Sequence, residues 1–370
     1  MKTVKVRLKP EKNAGYEIAV EAGLLEKVPG LVKKIPASKY AVISDSNVAE
    51  LYGKKLVAAL RKAGGEACLV QFPAGEENKS LETAGRLAQQ LLEERMDRNS
   101  LVIALGGGVT GDLAGFVAAT YMRGVTFVQV PTTLLAMVDA SIGGKTGVDL
   151  PNCKNCVGAF HQPAAVYSDV KTLETLPDRE LKNGLAESAK HAVMLDEKLF
   201  QFMEKNAEKI LELEEKTVEE LVYRNAAVKA EVVSADEKES EYRKVLNYGH
   251  TVGHALESLA GYRGISHGEA VAMGMKVEAH VAVNKKFISA RTEEAQLGLL
   301  MKYGLDCGLP EYDAGKVFDA MKTDKKAENN QAMMALPSGI GRPKTAGGKY
   351  SFTVSFAEFE KAWKACFKSC

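Results

Sequence analysis

The chain has 370 residues, of which 46% are hydrophobic and 26% charged, and its formal net charge is +1. That length can hold two domains with substantial cores, while the near-neutral balance gives no global field for nucleic acid or an anionic membrane. No apolar run is long enough for a transmembrane helix, and 6 cysteines in so long a chain do not make a disulfide scaffold, so a cytoplasmic enzyme is expected.

Met1 to Arg7 alternates polar and apolar residues as a strand does, unlike a signal peptide. Tyr40 to Ser44 reads as a buried strand, followed by a helix from Leu51 to Ala63. Ala67 to Phe72 is a second strand, and Ser80 to Glu94 carries helical spacing in Leu81, Ala84, Leu87 and Leu91. Leu101 to Leu105 and Val125 to Val130 are further buried strands. Such alternation implies a parallel sheet covered on both faces. Beyond about residue 175 helical patterns take over: Asp178–Leu195, Glu197–Leu213, Thr217–Glu237, Thr251–Leu259 and Gly268–Lys285, then more helices and a short hairpin near Ala335 and Phe352. The expected architecture is an α/β N-terminal nucleotide-binding domain with a parallel sheet (residues 1–172), then a mostly α-helical C-terminal metal- and substrate-binding domain (residues 173–370).

Gly106-Gly107-Gly108-Val109-Thr110-Gly111 follows the strand ending at Leu105 and precedes a helix expected to begin near Asp112. Glycines there let a backbone approach a pyrophosphate at a helix N-terminus, although a tight turn without ligand has the same pattern. The usual dinucleotide signature also needs an acid at the end of the next strand. That strand ends Val128-Gln129-Val130-Pro131, so the loop is of another design. Asp45 ends an earlier strand and suits either an adenosine ribose or the cap of the next helix.

His250 and His254 stand at i and i+4 and can share a helix face, with His267 close behind. Imidazoles with a nearby carboxylate suit zinc, whose catalytic sites keep three protein ligands and an open position. Glu187 and Lys190 lie on one helical face, as a surface ion pair or as a metal-site carboxylate beside a cation. Arg123, Lys145, Lys154, Lys190, Lys229 and Arg243 recur beside small residues, a set that an anionic small substrate explains. Cys153 and Cys156 form a C-x-x-C, which raises a redox or zinc reading; without a second such motif they are expected to be structural or incidental thiols.

The strings G-G-G-V-T-G-D, Y-M-R-G-V, P-T-T-L-L-A-M-V-D-A-S-I-G-G-K-T, K-A-E-V-V-S-A-D-E-K-E and L-N-Y-G-H-T-V-G-H-A-L-E, in this order, closely resemble the 3-dehydroquinate synthase family over essentially the whole chain. The resemblance implies conversion of 3-deoxy-D-arabino-heptulosonate 7-phosphate into 3-dehydroquinate and phosphate. The implied sequence is oxidation of an alcohol, elimination of phosphate, re-reduction, ring opening and aldol closure. It implies bound NAD recycled in each turnover, one divalent metal (zinc, with cobalt as a substitute), and a homodimer.

By the same resemblance the metal ligands are Glu187, His250 and His267, which revises the i, i+4 pairing, and His254 faces the substrate phosphate and assists proton transfer. Asp139, Lys145, Lys190, Lys229, Arg243 and Asn247 line the substrate pocket, joined by one lysine of the Lys325-Lys326 pair, with Lys325 favoured over Lys326, and by Arg123 from across a dimer interface. The NAD candidates are Asp45, Asn47, Glu76, Lys79, Gly107, Gly108, Asp112, Thr132, Thr133, Lys154 and Asn155. Cys153 and Cys156 depart from the family pattern, where a glycine and an aliphatic residue are more usual, without removing a chemical group.

Other sugar phosphate cyclases share this fold and these cofactors. Asn247 with Arg243 favours a substrate carrying a carboxylate over glucose 6-phosphate or sedoheptulose 7-phosphate; an aminated analogue of the usual substrate is harder to separate. A metal-dependent polyol dehydrogenase would share the glycine loop but accumulate NADH, and the K-N-x-x-G-A-F and G-G-K-T segments argue against it. A metal-stabilised structural protein would have to bury converging polar groups at a cost that nothing offsets.

Overall fold

The computed structural model describes residues 15–151, 153–261, 263–306, 308–323 and 331–367. The expected strand over Met1–Arg7 and the candidate Lys325 lie outside the described residues.

Among the described residues, the first half holds eight strands: β1 (Glu17–Val20), β2 (Tyr40–Asp45), β3 (Ala67–Phe72), β4 (Leu101–Gly106), β5 (Thr126–Pro131), β6 (Lys145–Leu150), β7 (Cys153–Phe160) and β8 (Ala165–Ser168). Between them run helices α1 (Val28–Val32), α2 (Ser46–Val48), α3 (Lys54–Lys62), α4 (Leu81–Glu93) and α5 (Gly108–Thr120). Six strands form one sheet in the order β1-β8-β5-β4-β2-β3, and every pairing in it is parallel. Val42, Ile43, Leu101, Ile103 and Val128 are fully buried, as strands covered on both faces require. The order reverses at β2: β3 lies on one side of it and β4 on the other. The carboxyl ends of β2 and β4 therefore flank a topological switch point, the usual place for a ligand in an open α/β sheet.

Helices dominate the rest: α6 (Asp178–Leu195), α7 (Glu197–Lys205), α8 (Ala207–Leu211), α9 (Glu215–Ala235), α10 (His250–Leu259), α11 (His267–Asn284), α12 (Ala290–Lys302), α13 (Ala314–Thr323) and α14 (Phe356–Cys366). The chain is thus an α/β unit with a parallel sheet followed by a mostly helical region. Leu185, Ala186 and Ala189 of α6 pack with Tyr248, Val271 and Met275 in one apolar cluster, while Val252, Leu256, Val277 and Trp363 belong to a second.

Several expectations shift. The helix expected near Asp112 begins at Gly108, inside the glycine loop. The helix expected over Glu197–Leu213 is broken at Asn206 into α7 and α8. Strands β1 and β8 and the β6–β7 hairpin were not anticipated. Cys153 and Cys156, expected from the sequence to be structural or incidental thiols, lie side by side with Cα atoms 5.8 Å apart. Two residues between them and a left-handed Asn155 (φ 54°) bring the pair together within one strand. The late hairpin is present as Phe352 paired with Met334. No helix among the described residues is long and apolar enough to cross a membrane.

Candidate active site

Glu187 sits midway along α6, fully buried, while His250 and His267 are the first residues of α10 and α11. Glu187 Oε1 lies 3.3 Å from His250 Nε2 and 3.2 Å from His267 Nε2. The donor atoms of these three residues all fall within 4.8 Å of one another. His250 Nδ1 faces the Tyr248 carbonyl at 3.1 Å, which orients the ring. Two imidazoles and one carboxylate match the donor set and number that a catalytic divalent zinc-like ion takes. His254, one turn after His250, has its ring 5.4 Å from that of His250 and 6.4 Å from that of His267, beside the three-donor group but not part of it.

Backbone packing fixes this arrangement. A Cβ on Gly274 would run into the Gly249 carbonyl, and one on Gly253 would meet the Ala270 carbonyl oxygen at 2.9 Å, so α10 and α11 touch through glycines. Gly249 is left-handed (φ 77°) and has no side chain to cap α10. Glu278 of α11 does so instead, accepting from the Gly249 amide at 2.8 Å and the Val252 amide at 3.3 Å.

A cationic cluster stands against the triad. Lys190, buried on α6, donates to Glu187 Oε2. Burial would raise the Glu187 carboxyl, but the Lys190 and His250 charges outweigh it and hold it well below the usual range. For His267, burial opposes protonation, yet hydrogen bonds to Glu187 and Glu257 push its pKa up to about 10. A cation bound there must therefore displace a proton. Lys229 of α9 donates to the Asp139 carboxylate and carbonyl, and burial lowers the Lys229 pKa. Asp139 is held below the usual range because the Lys229 and Lys190 charges overcome its desolvation. His191 is fully buried with Nδ1 3.0 Å from Asn225 Oδ1; burial, reinforced by Lys190, lowers its pKa to about 4, so it is neutral at pH 7.

Arg243 is 2% exposed and donates to the Gly143 carbonyl at 3.2 Å and the Glu237 carbonyl at 2.7 Å. Gly143 and Gly144 are both left-handed (φ 99° and 66°), and a Cβ on Gly143 would enter the space of the guanidinium. This explains the paired glycines before Lys145. Lys145 pairs with Glu239, whose other oxygen accepts from Asn247 Nδ2 at 3.0 Å. Asp139, Lys145, Lys190, Lys229, Arg243, Asn247, His250, His254 and His267 all line one cavity of about 830 Å³. Arg123 does not line it; exposed and left-handed (φ 65°), it ends a short turn after α5.

The nucleotide candidates gather at the switch point. Gly107 caps α5, and a Cβ there would lie 2.9 Å from Thr133 Cγ2, so only glycine leaves the helix end open. Asp45 Oδ1 accepts from the Asn47 and Val48 amides at 3.0 and 3.1 Å, and Oδ2 accepts from Thr110 Oγ1 at 3.2 Å. It therefore caps the following turn, while its position at the end of β2 beside the glycine loop suits a ribose as well. Thr132 and Thr133 follow β5; the Thr132 amide donates to the Gly106 carbonyl at 3.0 Å. Buried Lys79 donates to Asp112 Oδ2 at 2.6 Å and to Asn155 Oδ1. Lys154 Nζ lies 3.7 Å from Glu76 and 3.6 Å from Glu257. An anion-accepting helix end with a ribose-side acid is a combination that fits a dinucleotide.

Sequence reasoning passed over Glu239 and Glu257. Glu239 lies within the quoted K-A-E-V-V-S-A-D-E-K-E string, but an acid among other acids reads as solvated surface. Glu257 has a clearer signal: with His250 and His254 it continues an i, i+4, i+7 stripe on α10.

A family model for the 3-dehydroquinate synthase N-terminal domain matches residues 69–183, and one for the C-terminal domain matches residues 184–327. The 3-dehydroquinate synthase of Symbiobacterium thermophilum is 47% identical, covering 87% of this chain and 91% of that protein. That of Pelobacter propionicus is 44% identical, over 88% of this chain and 91% of its own length. Among solved structures, 2-epi-5-epi-valiolone synthase from Streptomyces hygroscopicus with NAD+ and Zn2+ bound superposes with a TM-score of 0.88 at 28% identity, covering 99% of this chain and 100% of that one. A 2-deoxy-scyllo-inosose synthase complexed with carbaglucose-6-phosphate, NAD+ and Co2+ gives 0.86 at 29% identity, over 93% and 95%. A probable glycerol dehydrogenase from Sinorhizobium meliloti, 16% identical with a TM-score of 0.66 over 95% of this chain and 96% of that one, shares the fold alone. The chain belongs to the 3-dehydroquinate synthase family and is a lyase-class cyclase of that family.

Proposed function

We propose that this enzyme converts 3-deoxy-D-arabino-heptulosonate 7-phosphate into 3-dehydroquinate and inorganic phosphate, in the cytoplasm and as a homodimer. Residues 1–172 are assigned to the NAD-binding domain and residues 173–370 to the metal- and substrate-binding domain. The observation that carries the reading is a single cavity in which His250 and His267, grouped with the buried Glu187 carboxylate behind them, meet Lys145, Lys190, Lys229 and Arg243. A phosphorylated sugar acid needs cations at both ends and a polarising centre between them.

Glu187, His250 and His267 are assigned to the divalent ion, zinc or cobalt in its place. Asp45, Asn47, Glu76, Lys79, Gly107, Gly108, Asp112, Thr132, Thr133, Lys154 and Asn155 are assigned to NAD. When bound, the nicotinamide accepts and returns a hydride, and the cation stabilises negative charge on the adjacent substrate oxygen.

The chain's own groups do the rest. Arg243 offers a planar fork that Gly143 and Glu237 already hold in place, suited to a carboxylate. Lys145 supplies a mobile cation for a phosphate, released from Glu239 as the substrate takes its place. Asn247, held by Glu239, presents an amide to substrate hydroxyls. Lys190 and the Lys229–Asp139 pair hold positive charge where oxyanion character develops, in a site of low dielectric that strengthens it. His254 takes and returns a proton on the phosphate side through an imidazole nitrogen. Arg123 of a second subunit and Lys325 complete the anion pocket.

The test is phosphate release from 3-deoxy-D-arabino-heptulosonate 7-phosphate by metal-loaded protein with catalytic NAD, with the carbocycle identified by mass and NMR. Equal amounts of phosphate and 3-dehydroquinate, abolished by EDTA, are expected, with no net absorbance at 340 nm. Turnover only of glucose 6-phosphate, sedoheptulose 7-phosphate or the aminated analogue would overturn the substrate assignment.

A further inference from the structure

Glu257 lies two turns beyond His250 on α10, on the face that carries His250 and His254, and is 5% exposed. A carboxylate buried in a helix costs free energy unless its oxygens are matched. Both are matched here, by groups from different parts of the chain. Oε2 lies 3.5 Å from His267 Nδ1. Oε1 lies 3.6 Å from Lys154 Nζ, on the β6–β7 hairpin. Lys154 in turn lies 3.7 Å from Glu76, and its neighbour Asn155 accepts from Lys79, so this hairpin reaches into the nucleotide-side cluster.

An imidazole that offers Nε2 to a cation must carry its proton on Nδ1, and the group accepting that proton's hydrogen bond fixes tautomer and ring plane. His267 Nε2 faces Glu187 while Nδ1 faces Glu257. We propose that Glu257 is a positioning residue that sets the tautomer and orientation of His267. Through Lys154 it also makes the geometry of the metal centre depend on the hairpin beside the nucleotide loop. This rests on the assignment of Glu187, His250 and His267 as the metal ligands.

The test is titration of metal-stripped, full-length protein with Zn2+ and Co2+, with the visible absorption of the cobalt form as a second readout. Wild type, Glu257→Gln, Glu257→Ala and His267→Ala are compared. Glu257→Ala should weaken binding about 10–100-fold and shift the cobalt bands, while the isosteric Glu257→Gln should recover part of both. Glu257→Gln retains the side-chain shape, so its spectrum reads orientation rather than loss of fold. Wild-type affinity and wild-type bands in both Glu257 variants, with His267→Ala impaired, would overturn the role of Glu257 alone. Wild-type binding by His267→Ala would overturn the ligand assignment itself, and this role with it. Lys154→Met should weaken cobalt binding several-fold in wild type and not further in Glu257→Ala. Equal losses in both backgrounds would overturn the link to the hairpin.

Discussion

Lys79 and Asp112 form an ion pair beneath the glycine loop, with Nζ 2.6 Å from Oδ2 and the lysine side chain 5% exposed. Burial raises the Asp112 pKa against the pull of Lys79, so the carboxylate keeps its charge only at the expense of desolvation. Lys79→Met should destabilise the protein by about 2–3 kcal/mol at pH 7, because it strands a buried charge. The deficit should shrink as the pH falls, since Asp112 can then take up a proton. Urea unfolding at two pH values reads both effects, and Lys79→Met with Asp112→Leu should recover much of the loss. A double variant no more stable than the single one would show that the pair is not the source.

His250→Ala and Lys145→Ala should separate metal from substrate. His250 is one of three close-set donors, so its loss should remove stoichiometric metal and turnover together. Lys145 stands apart from that group, its side chain 49% exposed and paired with Glu239. Lys145→Ala should keep the metal and raise KM by about 10-fold or more, with a stability change under about 1 kcal/mol. Metal content by elemental analysis, set beside steady-state kinetics, checks both, and full metal content in His250→Ala would remove it from the ligand set.

What the sequence made legible follows physical lines. Val42, Ile43, Leu101 and Ile103 lie in continuous apolar runs, so β2 and β4 were readable from composition. β1 and β8 have only four residues each and pair with each other across most of the first half of the chain, so no local pattern marks them. Gly108 begins α5 because an open helix end is needed there, against glycine's helix propensity, so its start was read too late. His250, His254 and His267 were visible because histidine is scarce. Spacing alone groups His250 with His254; the family resemblance instead singles out His250 and His267 with Glu187, and the fold sets those three donors together. Glu239 was missed because a carboxylate in an acidic stretch carries no sign of what it faces, whereas Glu257 was marked only by its helical spacing from His250 and His254.

Gly274 tests the helix contact that sets the two histidine-bearing helices together. In an open helix Gly→Ala gains roughly 1 kcal/mol. Here the new Cβ would strike the Gly249 carbonyl, which is backbone and cannot swing aside. Gly274→Ala should therefore lose about 1–3 kcal/mol and weaken metal binding, because α10 must shift against α11 and carry His250 away from His267. Thermal unfolding of the metal-free protein gives the first effect and zinc titration the second. A gain in Tm would mean that the contact is loose.

Asp236 gives the pH dependence a defined sign. It accepts from the backbone amides of Ser240, Glu241 and Arg243 at 2.8, 2.8 and 3.1 Å, closing the loop that presents Glu239 and Arg243 to the cavity. Burial would raise its pKa, but these hydrogen bonds outweigh it and lower it from 3.8 to about 2. A carboxyl depressed in the folded state adds stability that is fully present above its unfolded pKa and is lost as the pH falls through the folded one. The contribution, roughly 2 kcal/mol, should therefore be intact at neutral pH and disappear between about pH 4 and pH 2. Asp236→Asn should lose that amount at pH 7 and flatten the acid limb of the stability curve over the same interval. Because the loop holds Arg243, the variant should also raise KM for an anionic substrate. Parallel acid limbs for wild type and variant would place the acid sensitivity in other carboxylates.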